Sequence, residues 1–278
     1  MTTQNISGKT QILGVIGHPV NHTGSPAMQN HMCQQLGLDY VYVAFNVAPD
    51  QLESAISGIR ALHIKGVNVT IPHKEAVIPF LDELDPLAEK IGAVNTIVNQ
   101  NGRLIGYNTD GRGFLIALMQ ELQIDVNNKR IIILGAGGSG KAIAHTIAEK
   151  PINSLIIANR TAEKAHQLAQ LCQAQGTALS DLTLASLTDA DIVINTTALG
   201  MGDHQNQCPV TAFSWVSTKH LICDIIYNPS ETPFLSQCRQ KGATTLNGIG
   251  MLAGQGQLAF ELFTGFSADY QLLKAQLI

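Results

Sequence analysis

From Gln11 onward, short apolar runs alternate with stretches whose apolar residues recur every three or four positions. The runs predict strands, and the longer period predicts helices between them. In the first half this gives a strand over Gln11–Gly17, a helix over Pro26–Leu36, a strand over Tyr40–Val47, an amphipathic helix over Gln51–Leu62 and a strand over Gly66–Ile71. Helical stretches are expected from Pro72 to Ile91. Two further runs, Ala93–Val98 and Arg103–Tyr107, flank Asn101-Gly102, a dipeptide suited to a two-residue hairpin turn. This half is therefore an α/β arrangement with at least one antiparallel pair, and Gly111–Leu122 reads as a connecting helix.

A second series begins at Arg130. Ile131–Leu134 is a continuous aliphatic strand, followed by a Gly-rich turn and a helix through Ala148. Ser154–Ala158, Asp191–Asn195 and Leu221–Ile226 read as further strands, and Ala162–Gln173 as a helix. Strands alternating with helices imply parallel βαβ units, so this half is expected to be doubly wound. From Gly248 the pattern is helical to the end, and that tail suits packing back onto the first half. The expected organisation is two α/β domains. The first is 1–109, with a mixed sheet and completed by helices in 249–278; the second is 110–248.

Composition narrows the class. The chain has 278 residues, 45% of them apolar and only 14% charged, with 17 Lys and Arg against 21 Asp and Glu for a formal net charge of −4. A nucleic-acid binder shows a basic excess or stripe, and none is present. The polar start, Met1–Gln11, has no apolar core of a signal peptide, and no apolar run approaches the roughly 20 residues of a membrane span. The five cysteines are widely spaced, without a Cys-x-x-Cys pair. A cytoplasmic chain acting on a small molecule, without nucleic acid or membrane as partner, is the expectation. His18 and His22 stand four apart, but in a Gly- and Pro-rich loop without a third ligand, so no metal is expected.

Gly135-Ala136-Gly137-Gly138-Ser139-Gly140 satisfies G-x-G-x-x-G, and it follows a strand and opens a helix, the context the motif requires. Gly135 allows the tight turn, Gly137 lets the backbone approach a pyrophosphate and Gly140 permits close helix–strand packing. The helix N-terminus offers free N–H donors to the phosphates. A carboxylate usually ends the next strand when NAD is bound, to accept from the ribose 2′-hydroxyl. Here Asn159-Arg160-Thr161 stands there, with Lys164 one turn beyond Arg160. Two cations and a hydroxyl suit a 2′-phosphate and point to NADP. Thr161 also suits a helix N-cap, which is compatible with that role.

Several segments together resemble the shikimate dehydrogenase family. They are Gly17-His18-Pro19-Val20-Asn21-His22-Thr23-Gly24-Ser25-Pro26, Asn68-Val69-Thr70-Ile71-Pro72-His73-Lys74, Gly92-Ala93-Val94-Asn95-Thr96 and Gly106-Tyr107-Asn108-Thr109-Asp110-Gly111. The Gly-rich turn, Asn159-Arg160-Thr161, Tyr227-Asn228-Pro229 and Gly250-Met251-Leu252-Ala253-Gly254-Gln255 complete the set in family order. The resemblance runs from about Gly17 to Phe260. It implies a Rossmann-type domain beside a substrate domain, and NADP-linked interconversion of shikimate and 3-dehydroshikimate on the route to chorismate and the aromatic amino acids, by a monomer or homodimer.

By the same resemblance Thr23, Ser25 and Tyr227 face the substrate carboxylate. Asn68, Thr70, Asn95, Asp110 and Gln255 read the ring hydroxyls, and Thr197, Ile225 and Gly248 join the glycine turn, Asn159, Arg160, Thr161 and Lys164 around the cofactor. Lys74 and Asp110 are the expected acid–base pair. Hydride leaves a ring carbon, so the hydroxyl on that carbon must lose a proton, and a lysine in the first turn after Pro72 sits where the helix dipole disfavours its charge. Taken singly these residues also have plain structural readings: Ser25 before Pro26 and Asp110 before an amphipathic helix are both good N-caps. Three positions depart from the family pattern: Thr23 replaces Ser, Gln29 replaces His, and His73 replaces an apolar or aromatic residue beside Lys74. Two rival readings stay open, a family member with relaxed choice of quinate or NAD and a non-catalytic NADP sensor.

Overall fold

The computed structural model describes residues 6–278. The chain divides into two compact units, residues 1–113 with 252–278, and residues 114–251.

The first unit holds β1 (Gln11–Gly17), α1 (Ser25–Gln35), β2 (Tyr40–Asn46), α2 (Leu52–Ala61), β3 (Gly66–Val69), α3 (His73–Ala76), β4 (Glu83–Leu84), α4 (Pro86–Ile91), β5 (Thr96–Gln100) and β6 (Arg103–Tyr107). Its six strands run in the order β2-β1-β3-β5-β6-β4. β2, β1 and β3 are parallel, β5 is antiparallel to both β3 and β6, and β4 returns parallel to β6. The expected hairpin is present: Gln100 pairs with Arg103, and Asn101 and Gly102 both take positive φ, 57° and 93°. Those angles belong to the turn type whose twist matches the strands. Leu13, Val15, Tyr42, Val98 and Phe263 pack on one face of the sheet. Ile16, Ile56, Val67, Val69, Ile97 and Leu104 fill another cluster. At the free edge of β2 the Asn30 amide of α1 donates to the Tyr42 carbonyl and accepts from the Tyr42 N–H, both at 2.8 Å.

α5 (Asp110–Leu122) follows, and the division between units falls within it. The second unit contains β7 (Arg130–Leu134), α6 (Gly138–Ala148), β8 (Ser154–Asn159), α7 (Ala162–Leu171), β9 (Gln175–Ala178), α8 (Leu184–Asp189), β10 (Ile192–Asn195), β11 (Leu221–Asp224), α9 (Pro233–Gln240) and β12 (Thr244–Leu246). Its sheet is wholly parallel, in the order β12-β11-β10-β7-β8-β9. This is the expected doubly wound, Rossmann-type half, and the strand order reverses between β7 and β10, where such sheets take their ligands. α10 (Ile249–Thr264) and α11 (Tyr270–Lys274) end the chain, and from Leu252 onward they belong to the first unit.

Several expectations need correcting. The helical stretches expected over Pro72–Ile91 are present as the single turn α3, a short 3-10 segment and helix α4, but strand β4, which the pattern did not predict, stands among them. Pro79 and Pro86 remove backbone donors there, so no continuous helix forms. The strand expected over Ala93–Val98 begins only at Thr96. Strands β9 and β12 have no counterpart in the sequence pattern, and the helical tail is interrupted after Thr264.

Candidate active site

In the first unit, three loops and the start of α5 bring polar side chains to the carboxyl ends of β1 and β3. Asn68 lies in β3, buried on both faces, and Lys74 lies in the one-turn α3 that follows. Asn95 precedes β5, and Asp110 opens α5. Glycine sets the last placement. A side chain at Gly113 would strike the backbone of Gln255, and one at Gly254 would strike the Gly113 carbonyl, so α10 approaches α5 backbone to backbone. Thr109 then donates to the Gln255 carbonyl at 3.2 Å.

These residues form one hydrogen-bonded set. Lys74 Nζ donates to Asp110 Oδ2 at 2.5 Å; their side chains are 19% and 6% exposed. Asn95 Nδ2 donates to Asp110 Oδ1 at 2.8 Å and to Thr109 Oγ1 at 2.9 Å, while Asn95 Oδ1 accepts from the Thr109 N–H at 2.9 Å. Asn68 Nδ2 donates to the Asn95 carbonyl and to Thr96 Oγ1, and Asn68 Oδ1 accepts from the Tyr42 hydroxyl at 2.7 Å. Thr23 Oγ1 lies 3.2 Å from Ser25 Oγ and accepts from the Ser25 N–H. Gln255 donates through Nε2 to the Leu252 carbonyl. Thr70, at the end of β3, is half-buried with its N–H bonded to Ile16.

The plain structural readings of two residues fail. Gly24 is the N-cap of α1, which leaves Ser25 as its first residue, and Asp110 is likewise the first residue of α5. The Asp110 N–H is taken by Asn108 Oδ1 at 3.1 Å, and the Asp110 carboxylate bonds Lys74 and Asn95. The helix-dipole argument for Lys74 also weakens: α3 has four residues, and its macrodipole is correspondingly small. What acts on Lys74 is the adjacent carboxylate. His73 is fully buried with Nε2 2.7 Å from the Val47 carbonyl, an arrangement that places the proton on Nε2. Gln29 is buried too, donating to the Gly256 carbonyl at 3.0 Å. Sequence reasoning missed Tyr42, Thr96 and Thr109 as members of this set. Thr96 and Thr109 adjoin assigned residues inside quoted motifs; Tyr42 carried no signal.

In the second unit, the glycine turn follows β7 at the reversal point. Gly135 has φ +112°, and a side chain there would lie 2.6 Å from Thr196 Oγ1; one at Gly140 would lie 2.6 Å from the Gly135 carbonyl oxygen. Gly137 and Gly138 face open space instead. The first pair is thus fixed by packing of α6 on the turn. The second pair leaves room over the α6 N-terminus, where backbone N–H groups have no helical partner. Asn159 Oδ1 accepts from the Ala136 N–H at 3.2 Å, and its Nδ2 donates to the Thr161 carbonyl at 3.0 Å. Thr161 occupies the N-cap position of α7, but its side chain makes no capping bond. Arg160, Thr161 and Lys164 are exposed. After β10, Thr197 donates through Oγ1 to Asn195 Oδ1 at 2.7 Å, and the Ile225 N–H bonds the Asn195 carbonyl at 3.1 Å. Gly248 packs against the Ile225 carbonyl too closely for a side chain. Tyr227 is half-buried, and burial pushes its hydroxyl above the ordinary range. Among the described residues no group of three or more His, Cys, Asp or Glu is placed to hold a metal ion, and no helix is long and apolar enough to cross a membrane.

Comparison with known proteins places these sites in context. Residues 15–97 match the shikimate dehydrogenase substrate binding domain, residues 117–203 match shikimate / quinate 5-dehydrogenase and residues 248–278 match the shikimate 5'-dehydrogenase C-terminal domain. The NADP(+) shikimate dehydrogenase of Desulforamulus reducens is 46% identical over 97% of this chain and 95% of its own length. The shikimate 5-dehydrogenase of Listeria monocytogenes, solved with shikimate and NAD, superposes with a TM-score of 0.92 at 34% identity, covering 99% of each chain. That of Thermus thermophilus, solved with NADP(H) and shikimate, gives 0.89 at 34% identity over 96% of this chain and 98% of its own. The chain belongs to the shikimate dehydrogenase family.

Proposed function

We propose that the protein catalyses the reversible NADPH-dependent reduction of 3-dehydroshikimate to shikimate, with the substrate held by the first unit and NADP by the second. The observation that carries this reading is the Lys74–Asp110 ion pair at 2.5 Å, its carboxylate locked by Asn95 on the other oxygen. Family membership and the relatives' NADP(+) naming support the reaction class.

The second unit fits the cofactor. Gly137 and Gly138 leave open space over a helix N-terminus, which suits a pyrophosphate, and the exposed Arg160 and Lys164 suit a 2′-phosphate. Thr161, Thr197, Ile225 and Gly248 surround the same end of the sheet and are assigned to the remainder of the molecule. Bound NADPH supplies the hydride that adds to the carbonyl carbon of the substrate. The chain's own residues handle the proton. Lys74, held by its hydrogen bond to Asp110, gives a proton to the carbonyl oxygen as that oxygen gains charge. In the oxidation direction neutral Lys74 takes the proton back from the hydroxyl. Asp110 holds the amine in place and balances its charge in both directions. Thr23 and Ser25 are the hydroxyls assigned to the substrate carboxylate. Thr70 and Gln255 read the ring hydroxyls, together with Asn68, whose amide hydrogens are already spent and which therefore accepts.

The test is initial rates with purified protein, crossing shikimate and quinate against NADP and NAD. Preference for shikimate with NADP is expected. Activity with quinate or NAD keeps the acid–base pair and overturns the specificity. NADP binding without turnover in any combination makes the protein a sensor.

A further inference from the structure

We infer that Tyr42 is a positioning residue for this reaction: its buried hydroxyl joins the carboxylate-facing hydroxyls to the acid–base pair through a single directed chain of hydrogen bonds. The inference rests on the function proposed above, and it concerns a residue outside every motif that carries the family resemblance.

Tyr42 is 1% exposed at the middle of β2, and its ring packs among Leu13, Val15, Val98 and Phe263. A hydroxyl buried in such surroundings is costly unless both its proton and its oxygen are used. Both are. The proton goes to Asn68 Oδ1 at 2.7 Å, and the Ser25 hydroxyl bonds the same phenol oxygen. Ser25 in turn lies 3.2 Å from Thr23 Oγ1.

On the other side of Asn68 the donors can be counted. One Nδ2 hydrogen goes to the Asn95 carbonyl at 3.1 Å and the other to Thr96 Oγ1 at 3.0 Å. Rotating that amide by half a turn would set Oδ1 against the Asn95 carbonyl oxygen, so only one orientation is possible. Thr96 passes its single proton to Asn95 Oδ1 at 3.0 Å. The Asn95 amide then donates to Asp110 Oδ1, and Lys74 holds Oδ2. From Tyr42 to Asp110 each bond points the same way. Bonds aligned in this manner polarise one another in a poorly solvated interior. Contacts at the carboxylate end of the site are thereby tied to the orientation of Asp110, across separate segments of the sequence.

A purely structural tyrosine would make a different prediction from a positioning one. Tyr42→Phe keeps the ring and removes one oxygen. Loss of a neutral hydrogen bond from a positioning chain is expected to lower kcat about five- to tenfold. The deuterium isotope effect, measured with shikimate deuterated at the carbon that gives up hydride, should rise because chemistry becomes slower relative to release. NADP affinity should stay unchanged. If kcat falls only in proportion to the folded fraction, with KM and isotope effect as in the wild type, Tyr42 is structural and the inference is overturned.

A second pair of variants covers the case in which Tyr42→Phe fails to fold. Thr96→Val should reproduce the raised isotope effect, and Thr96→Ser, which keeps the hydroxyl, should restore near wild-type values. Where both folds are intact, the double variant Tyr42→Phe with Thr96→Val should be scarcely slower than the worse single variant; losses that multiply would show two independent effects and overturn the chain. If the wild-type protein turns over none of the substrate and cofactor pairs, the proposed function itself has failed. A wild type that is active beside an unaltered Tyr42→Phe refutes the inference alone.

Discussion

The two candidate sites are built on opposite plans. In the first unit Lys74, Asp110, Asn95 and Asn68 are at least half-buried, and each is bonded to its neighbour before any ligand arrives. In the second unit Arg160, Thr161 and Lys164 stand exposed, and a side chain at Gly137 or Gly138 would meet only open space. The difference follows from what each must do. A proton must move over a fraction of an ångström at a fixed atom, which requires geometry set in advance. A phosphate needs charge and room, and exposed long side chains supply both. Order in one site and openness in the other are thus two answers to different chemical demands.

Substitutions can break this contrast, and the largest effect belongs to the ordered site. Lys74→Ala should lower turnover about 10²–10⁴-fold while leaving NADP affinity near normal; titration of the variant with NADP beside steady-state rates separates the two. A loss below tenfold would remove Lys74 from proton transfer. Next comes Arg160→Ala, which should weaken NADP about 10- to 100-fold, the size of a charge-assisted hydrogen bond. NAD affinity and the melting temperature should not move, and equal weakening of both cofactors would refute the 2′-phosphate assignment.

The glycine turn sharpens the comparison within one motif. Gly140→Ala places a methyl against the Gly135 carbonyl and Thr196 Oγ1, so it should cost about 1–3 kcal/mol of stability in denaturant melts as well as cofactor binding. Gly137→Ala meets open space, so it should leave the melt unchanged and weaken NADP alone. The smallest effect is expected at an ion pair remote from either chemistry. Arg130 donates to Asp191 and holds its carboxyl below the usual carboxylate range. A lowered value means stability present above the unfolded pKa and lost as pH falls. The pair is partly exposed, so Asp191→Asn should cost under about 1 kcal/mol at pH 7. That difference should shrink in melts as the pH falls below the ordinary carboxylate range, where the wild-type carboxyl loses its charge.

What the sequence disclosed divides along the same physical lines. Central strands announced themselves, because β1, β3, β7 and β10 are covered on both sides and read as apolar runs. The missed strands β4, β9 and β12 are all outermost in their sheets. Thr244–Leu246 and Gln175–Ala178 have three and four residues, pair on one side only and carry no apolar alternation. The site residues were legible where they fall inside motifs, as Lys74, Asn95 and Asp110 do. Their bonding was not, because Tyr42, Asn68, Asn95 and Asp110 come from separate segments and meet only after the sheet forms. Cap assignments were met only in part: at Ser25 the cap falls one residue earlier, at Gly24, and Thr161 takes the N-cap position of α7 without a side-chain capping bond.

Asn30 has a consequence outside the chemistry. β2 ends its sheet, and Tyr40–Asn46 contains no charged residue, proline or bulge of the kind that usually deters a second strand from adding to an exposed edge. The Asn30 amide fills the one rung at Tyr42 by imitating a neighbouring peptide group, donor to acceptor and acceptor to donor. A single side chain on a helix thus performs, at that rung, the office of a missing strand.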